Sequence, residues 1–63
     1  MIEVTKMNGS KITVNADLIE TVEETPDTLI TLTSGKKYIL QETRKEVRML
    51  VIEYKRQIFA MEK

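Results

Sequence analysis

The chain has 63 residues, with ten basic side chains against ten acidic ones, and it contains neither Cys nor His. A chain this short forms one domain and buries only about 60% of the surface its unfolded form exposes, so a partner surface is the expected further stabiliser. Without thiols or imidazoles, disulfides, thiolate metal sites and the usual general base are excluded, and an enzyme is not expected.

The longest run of bulky apolar residues is Met49-Leu50-Val51-Ile52. A membrane-crossing helix needs about 20 and a signal peptide about 7–15, so neither is expected. The zero net charge hides a division. Through Glu42 four bases stand against seven acids, and from Thr43 onward six bases stand against three. The basic tail can meet the acidic part of its own chain, or an acidic partner.

Ile2, Val4, Ile12 and Val14 alternate with polar residues, the period of a half-buried strand. A three-residue loop, Met7-Asn8-Gly9, pairs Val4 with Ile12 and Ile2 with Val14. It puts Gly9 where a left-handed residue is wanted, whereas a two-residue loop would split the apolar set between faces. Asn15-Ala16-Asp17 reads as a turn, because short polar side chains bond to nearby backbone. Leu18 to Thr25 reads as a third strand, with Leu18 and Val22 in one phase and Ile19 in the other, which predicts a bulge or kink. Thr25-Pro26-Asp27-Thr28 is the clearest turn in the chain.

Thr28 to Thr33 is a strand of β-branched and aliphatic residues, turned by Ser34-Gly35 and returning through Lys36 to Gln41. A two-residue loop there sets Ile30 against Ile39 on one face, with Leu29 against Leu40 and Thr31 against Tyr38 on the other. Both faces of this hairpin then carry apolar groups. One helix covers one face only, so a second copy is the expected cover for the other.

Thr43-Arg44-Lys45-Glu46 fits a capping box. Val47, Leu50, Val51, Tyr54, Ile58 and Met61 then fall on one stripe at about 100° per residue, the face for the sheet. Ile52 and Phe59 lie one heptad apart and off that stripe, flanked by Lys45, Arg48, Lys55 and Arg56. An apolar pair ringed by charge is the anatomy of a docking site; its bland alternative is spare apolar surface or self-association. The fold expected is α+β: an antiparallel sheet of about five strands within residues 1–42, in two hairpins or a meander. One C-terminal helix over about 44–62 packs on one sheet face, and residues 1–63 form a single domain.

Gly9 and Gly35 are the only glycines and both suit turns, so no phosphate-cradling loop is present. The acidic run Glu20, Glu23, Glu24 and Asp27 has no metal-loop spacing and reads as solvated charge. No catalytic, cofactor or metal site is expected. A basic helix could touch phosphates, which keeps a small nucleic-acid-binding or regulatory module as an alternative. The zero net charge and the acidic sheet region weigh against it. A structural homo-oligomer is the other alternative. At an anionic membrane the helix could make no more than a peripheral contact through Ile52 and Phe59.

Several strings carry a family resemblance. They are Asn15-Ala16-Asp17-Leu18-Ile19-Glu20, Glu23-Glu24-Thr25-Pro26-Asp27-Thr28, Gly35-Lys36-Lys37-Tyr38, the opening Ile2 to Gly9, and Gln41-Glu42 with the later Glu46-Val47 and Tyr54-Lys55-Arg56. Together, across nearly the whole chain, they resemble the small FlbD-type flagellar proteins, also called SwrD. Met7 and Ser34 are mild departures. The resemblance implies a non-enzymatic bacterial accessory of flagellar motility and swarming, promoting motor power through stator or other motor-protein contacts. It implies a cytoplasmic location, in the bulk or at the inner face of the membrane near the flagellar base, and it carries over no catalytic residues. The family pattern marks Asn8, Gly9, Asn15, Glu20, Glu23, Thr25, Pro26, Asp27, Thr28, Gly35 and Lys36. Turn geometry accounts for Gly9, Pro26, Asp27 and Gly35. Glu20, Glu23 and Lys36 are expected as partner contacts beside Arg48, Ile52, Arg56 and Phe59.

Overall fold

A computed structural model describes residues 1–61, with side chains described through Ala60. The expected helix end at residue 62 and the place of the Met61 side chain on the stripe lie outside the described residues.

Strand β1 (Ile2–Thr5) pairs antiparallel with β2 (Lys11–Val14), Ile2 opposite Val14 and Val4 opposite Ile12. The loop is the three-residue one. Lys6 donates its amide to the Ser10 carbonyl at 2.8 Å, Gly9 donates to the Lys6 carbonyl at 2.9 Å, and Gly9 sits at φ 92°. Asn8 stiffens the loop by accepting at Oδ1 from the Ser10 amide (3.0 Å) and the Ser10 hydroxyl (2.6 Å). A 3₁₀ turn, Ala16–Leu18, follows, capped by Asn15 Oδ1 accepting from the Asp17 amide at 3.0 Å.

Strand β3 (Ile19–Glu24), strand β4 (Thr28–Leu32) and strand β5 (Lys37–Leu40) form a three-stranded antiparallel sheet in that order. The expected irregularity is a register shift between Ile19 and Thr21. It sets Ile19 opposite Leu32 and Val22 opposite Ile30, both on the core side. Leu18, expected in the strand beside Val22, lies instead in the 3₁₀ turn and is exposed. At the β3–β4 turn the Thr25–Pro26 peptide is cis, and the Thr25 amide donates to the Asp27 carbonyl at 3.2 Å.

The β4–β5 register differs from the sequence expectation by one residue. Leu29 faces Ile39, Ile30 faces Tyr38 and Thr31 faces Lys37. The cause is the loop. Leu32 donates to the Lys36 carbonyl at 2.8 Å and Gly35 donates to the Leu32 carbonyl at 2.9 Å, so Thr33-Ser34-Gly35 is a three-residue loop with Gly35 at φ 93°. It repeats the design of the first hairpin. The slip moves Leu40 to the core side with Ile30 and leaves Ile39 exposed. The outer face still carries an apolar pair, exposed Ile39 and half-buried Leu29.

The five strands thus form two sheets rather than one, joined at a corner. Lys6 bridges to Leu40, Met7 donates to the Ile39 carbonyl at 3.1 Å, and Gln41 donates to the Thr5 carbonyl at 2.8 Å. The Glu42 carboxylate completes the seam. Its two oxygens accept from the Thr5 amide at 2.9 and 3.0 Å, satisfying a backbone group that β2 does not reach.

Helix α1 (Arg44–Met61) packs across β1 and β3. The capping box forms as expected: Thr43 Oγ1 accepts from the Glu46 amide at 3.1 Å, and Glu46 Oε1 accepts from the Thr43 amide at 2.8 Å. Glu24 Oε1 also accepts from the Arg44 amide at 2.8 Å, so a carboxylate from β3 sits at the positive end of the helix dipole. The core joins Ile2, Val4, Val14, Ala16, Ile30, Leu40 and Val47, with Val51 and Tyr54 packed against it. Leu50, expected on the sheet-facing stripe, lies at its margin and is exposed. At 1.5 Å per residue, the 18 residues of α1 run about 27 Å along a molecule 39 Å long and about 20 Å across.

Candidate interaction surface on the C-terminal helix

The residues of α1 that do not meet the sheet form a surface of their own. Val47, Val51 and Tyr54 are spent on the core and Ile58 is half-buried. On the opposite side Met49, Ile52 and Phe59 are 56%, 43% and 66% exposed. What sets these three apart from exposed Met1, Met7, Leu18 and Ile39 is that they share one helix face. Ile52 and Phe59 therefore stand where the sequence reading put them. Met49, which the helical stripe does not single out, precedes Ile52 by three residues and so extends the same face.

Charge divides along the two flanks of this face. On the β3 side a groove of about 730 Å³ is lined by Ile19, Glu20, Val22, Arg48, Ile52 and Lys55. Arg44 also borders it. On the β1 side a groove of about 580 Å³ is lined by Glu3, Glu42, Glu46, Met49, Leu50 and Glu53. One flank of the helix is basic and the other acidic, and Lys45 borders both grooves. Among the described residues two surface ion pairs are formed, Lys55 Nζ with Asp17 at 3.9 Å and Arg56 with Glu53 at 3.7 Å. Both are well exposed and contribute little to stability.

Among the other expected contact residues, Glu20 lies at the β3 bulge and lines the basic groove with Arg48 and Ile52. Glu23 lies on the outer sheet face opposite Leu29 and borders a shallow hollow with Arg44. Lys36 lies in the β4–β5 loop, where its carbonyl closes the turn, and it lines neither groove. Arg56 and Phe59 continue the helix face beyond the groove residues. Asn8, Gly9, Asn15, Pro26, Asp27 and Gly35 all sit in turns.

The Glu42 carboxyl is displaced from its ordinary range. Partial burial pushes it up. The hydrogen bonds from Thr5, a further one from its own amide and the Lys11 charge outweigh that, holding it below the usual carboxylate value. Sequence reading had no route to this contact, because Thr5 lies 37 residues away.

No helix among the described residues is long and apolar enough to cross a membrane. Neither a curated protein nor a solved structure matches the chain. A family model described as flagellar and swarming motility proteins matches residues 1–59, nearly the whole length. That match agrees with the resemblance carried by the turn and strand strings, and the chain belongs to the FlbD family of flagellar and swarming motility proteins.

Proposed function

We propose that this protein is a non-enzymatic flagellar accessory that supports swarming by contact, promoting motor power through stator or other motor proteins at the cytoplasmic side of the flagellar base. The observation that carries the reading is the helix face: Met49, Ile52 and Phe59 stay open to solvent after the core is complete, with Arg48 and Arg56 beside them. Apolar anchors supply contact energy, and guanidinium groups orient a partner through its carboxylates. A protein acting this way favours an engaged motor only by binding that state more tightly than the idle one. Cells carrying Ile52→Ser with Phe59→Ser should swarm poorly at unchanged protein level. Normal swarming at equal abundance would refute a role for this face.

The basic flank of Arg44, Lys45, Arg48 and Lys55 supports a second reading, nucleic-acid binding. The acidic residues on the other flank oppose it. Binding to a random DNA duplex with a steep salt slope would favour it over protein contact.

A further inference from the structure

We propose that the outward face of α1 pairs with the same face of a second copy, the two helices lying parallel about a twofold axis. This rests on the reading that the chain works by contact through this face.

The first observation is spacing. Lys45, Met49, Ile52, Arg56 and Phe59 follow one another at alternating intervals of four and three residues. That is the seam of a two-stranded coiled coil. Val47, Val51, Tyr54 and Ile58 repeat the same intervals on the opposite side, against the sheets. Pairing along the outer seam therefore leaves each copy's sheets outside the pair, with no competition for the core.

The second observation is charge, and it fixes both the occupant and the direction. Beside the seam, Glu46 and Glu53 lie on one flank and Arg48 and Lys55 on the other. When two helices run parallel about a twofold, each flank meets the opposite flank of its partner. When they run antiparallel, each meets its own kind. Only the parallel pair sets acid against base. Arg48 precedes Glu53 by five residues, the interval at which flanking residues of parallel helices meet across the seam. The symmetry forms that ion pair twice. An acidic peptide in the groove beside β3 would use the basic flank but leave the acidic flank unexplained.

The helix is also ready-made. Thr43, Glu46 and Glu24 cap it and Val47 anchors it in the core, so association does not bear the cost of ordering it. Lys45 and Arg56 each meet their own copy in the seam. Charged residues at these two layers lower affinity and leave Met49, Ile52 and Phe59 as the apolar layers, so the pair is a weak dimer.

The test uses the purified full chain. Light scattering over a wide concentration range should show the molar mass rising from 7.3 kDa towards twice that value. Arg48→Glu and Glu53→Arg should each lower the dimer fraction several-fold, and the double variant should restore it, with circular dichroism confirming the fold in each. The chain has no Cys, so Ile52→Cys and Phe59→Cys report direction cleanly. Under a mild oxidant each should crosslink to itself, and a mixture of the two should give mostly the two homodimers. A 7.3 kDa particle at every concentration, preferred 52-to-59 crosslinking, or a double charge variant no better than the singles would each overturn the proposal. A monomeric chain whose Ile52→Ser, Phe59→Ser cells fail to swarm would sink the pairing and keep the contact reading. A dimer whose seam variant swarms normally would do the reverse.

Discussion

Replacing Glu42 by Gln tests how the two sheets are held at their corner. The carboxylate accepts the Thr5 amide with both oxygens, at 2.9 and 3.0 Å. A hydrogen bond to a charged group contributes about 1.5–3 kcal/mol when buried. This carboxylate is only partly buried, so solvent screening reduces the charge contribution, and about 1 kcal/mol is the expected loss for Gln, which keeps one acceptor oxygen. Ala removes the acceptor as well and leaves the amide unpartnered, for about 1–3 kcal/mol. The pH dependence has a definite sign. The folded-state carboxyl is held below its unfolded value, so its charge-dependent stabilisation is present above that value and disappears as the pH falls through the folded one. The gap between wild type and Glu42→Gln should be open at neutral pH and should close below about pH 4, near the ordinary Glu value and under it. Urea melts followed by circular dichroism at neutral and acid pH measure this directly. For a domain of this size, 1 kcal/mol also corresponds to a shift of about 4–8 °C in Tm. An equal gap at both pH values would show that the loss is one of shape rather than charge. No gap at neutral pH would show that the corner does not depend on this side chain.

Four further substitutions test the β4–β5 register and its loop. Leu40→Ala should cost about 2–5 kcal/mol, because Leu40 is buried beside Ile30, whereas Ile39→Ala on the exposed face should cost under about 1 kcal/mol. Total stability for 63 residues is about 3–9 kcal/mol, so the first should flatten the urea melt and the second should barely move it. The reverse order would restore the two-residue loop. Gly35→Ala should cost about 1–2 kcal/mol from its left-handed backbone alone, since an added Cβ at φ 93° meets nothing within 4 Å. Gly35→Asn should recover part of that loss, and an unchanged urea midpoint for the Ala variant would contradict the three-residue loop.

The parts of the fold legible in the sequence are those set by neighbours along the chain. The Asn8-Gly9 hairpin, the Asn15 turn, the capping box at Thr43 and the sheet-facing stripe of α1 each rest on contacts a few residues apart. The β4–β5 register failed because both faces of that hairpin carry apolar residues, so hydrophobic alternation did not choose between two loops and only the Gly35 backbone did. Leu18 departs from its expected strand position for a related reason. The bulge restores the phase of Val22 to Ile19, and the 3₁₀ turn ends only at Leu18. The corner between the sheets joins Thr5 and Lys6 to Leu40, Gln41 and Glu42, and no local pattern announces a pairing across so much sequence.

The candidate surface was half legible for the same reason. Ile52 and Phe59 stand out by falling off the core stripe, but only the folded chain shows that Glu3 and Glu42 join Glu46 and Glu53 on one flank, while Ile19, Glu20 and Val22 from β3 border the other. That division bears on why so short a chain folds around a helix this long. The core ends near Tyr54, yet α1 continues to Met61 and keeps Phe59 in solvent. A helix serving the sheets alone has no use for a second seam, and an exposed aromatic near its end adds nothing to the stability of a lone domain. A second seam at heptad spacing with opposite charges beside it has a physical use when another surface closes on it, which is the role the proposed pairing gives it.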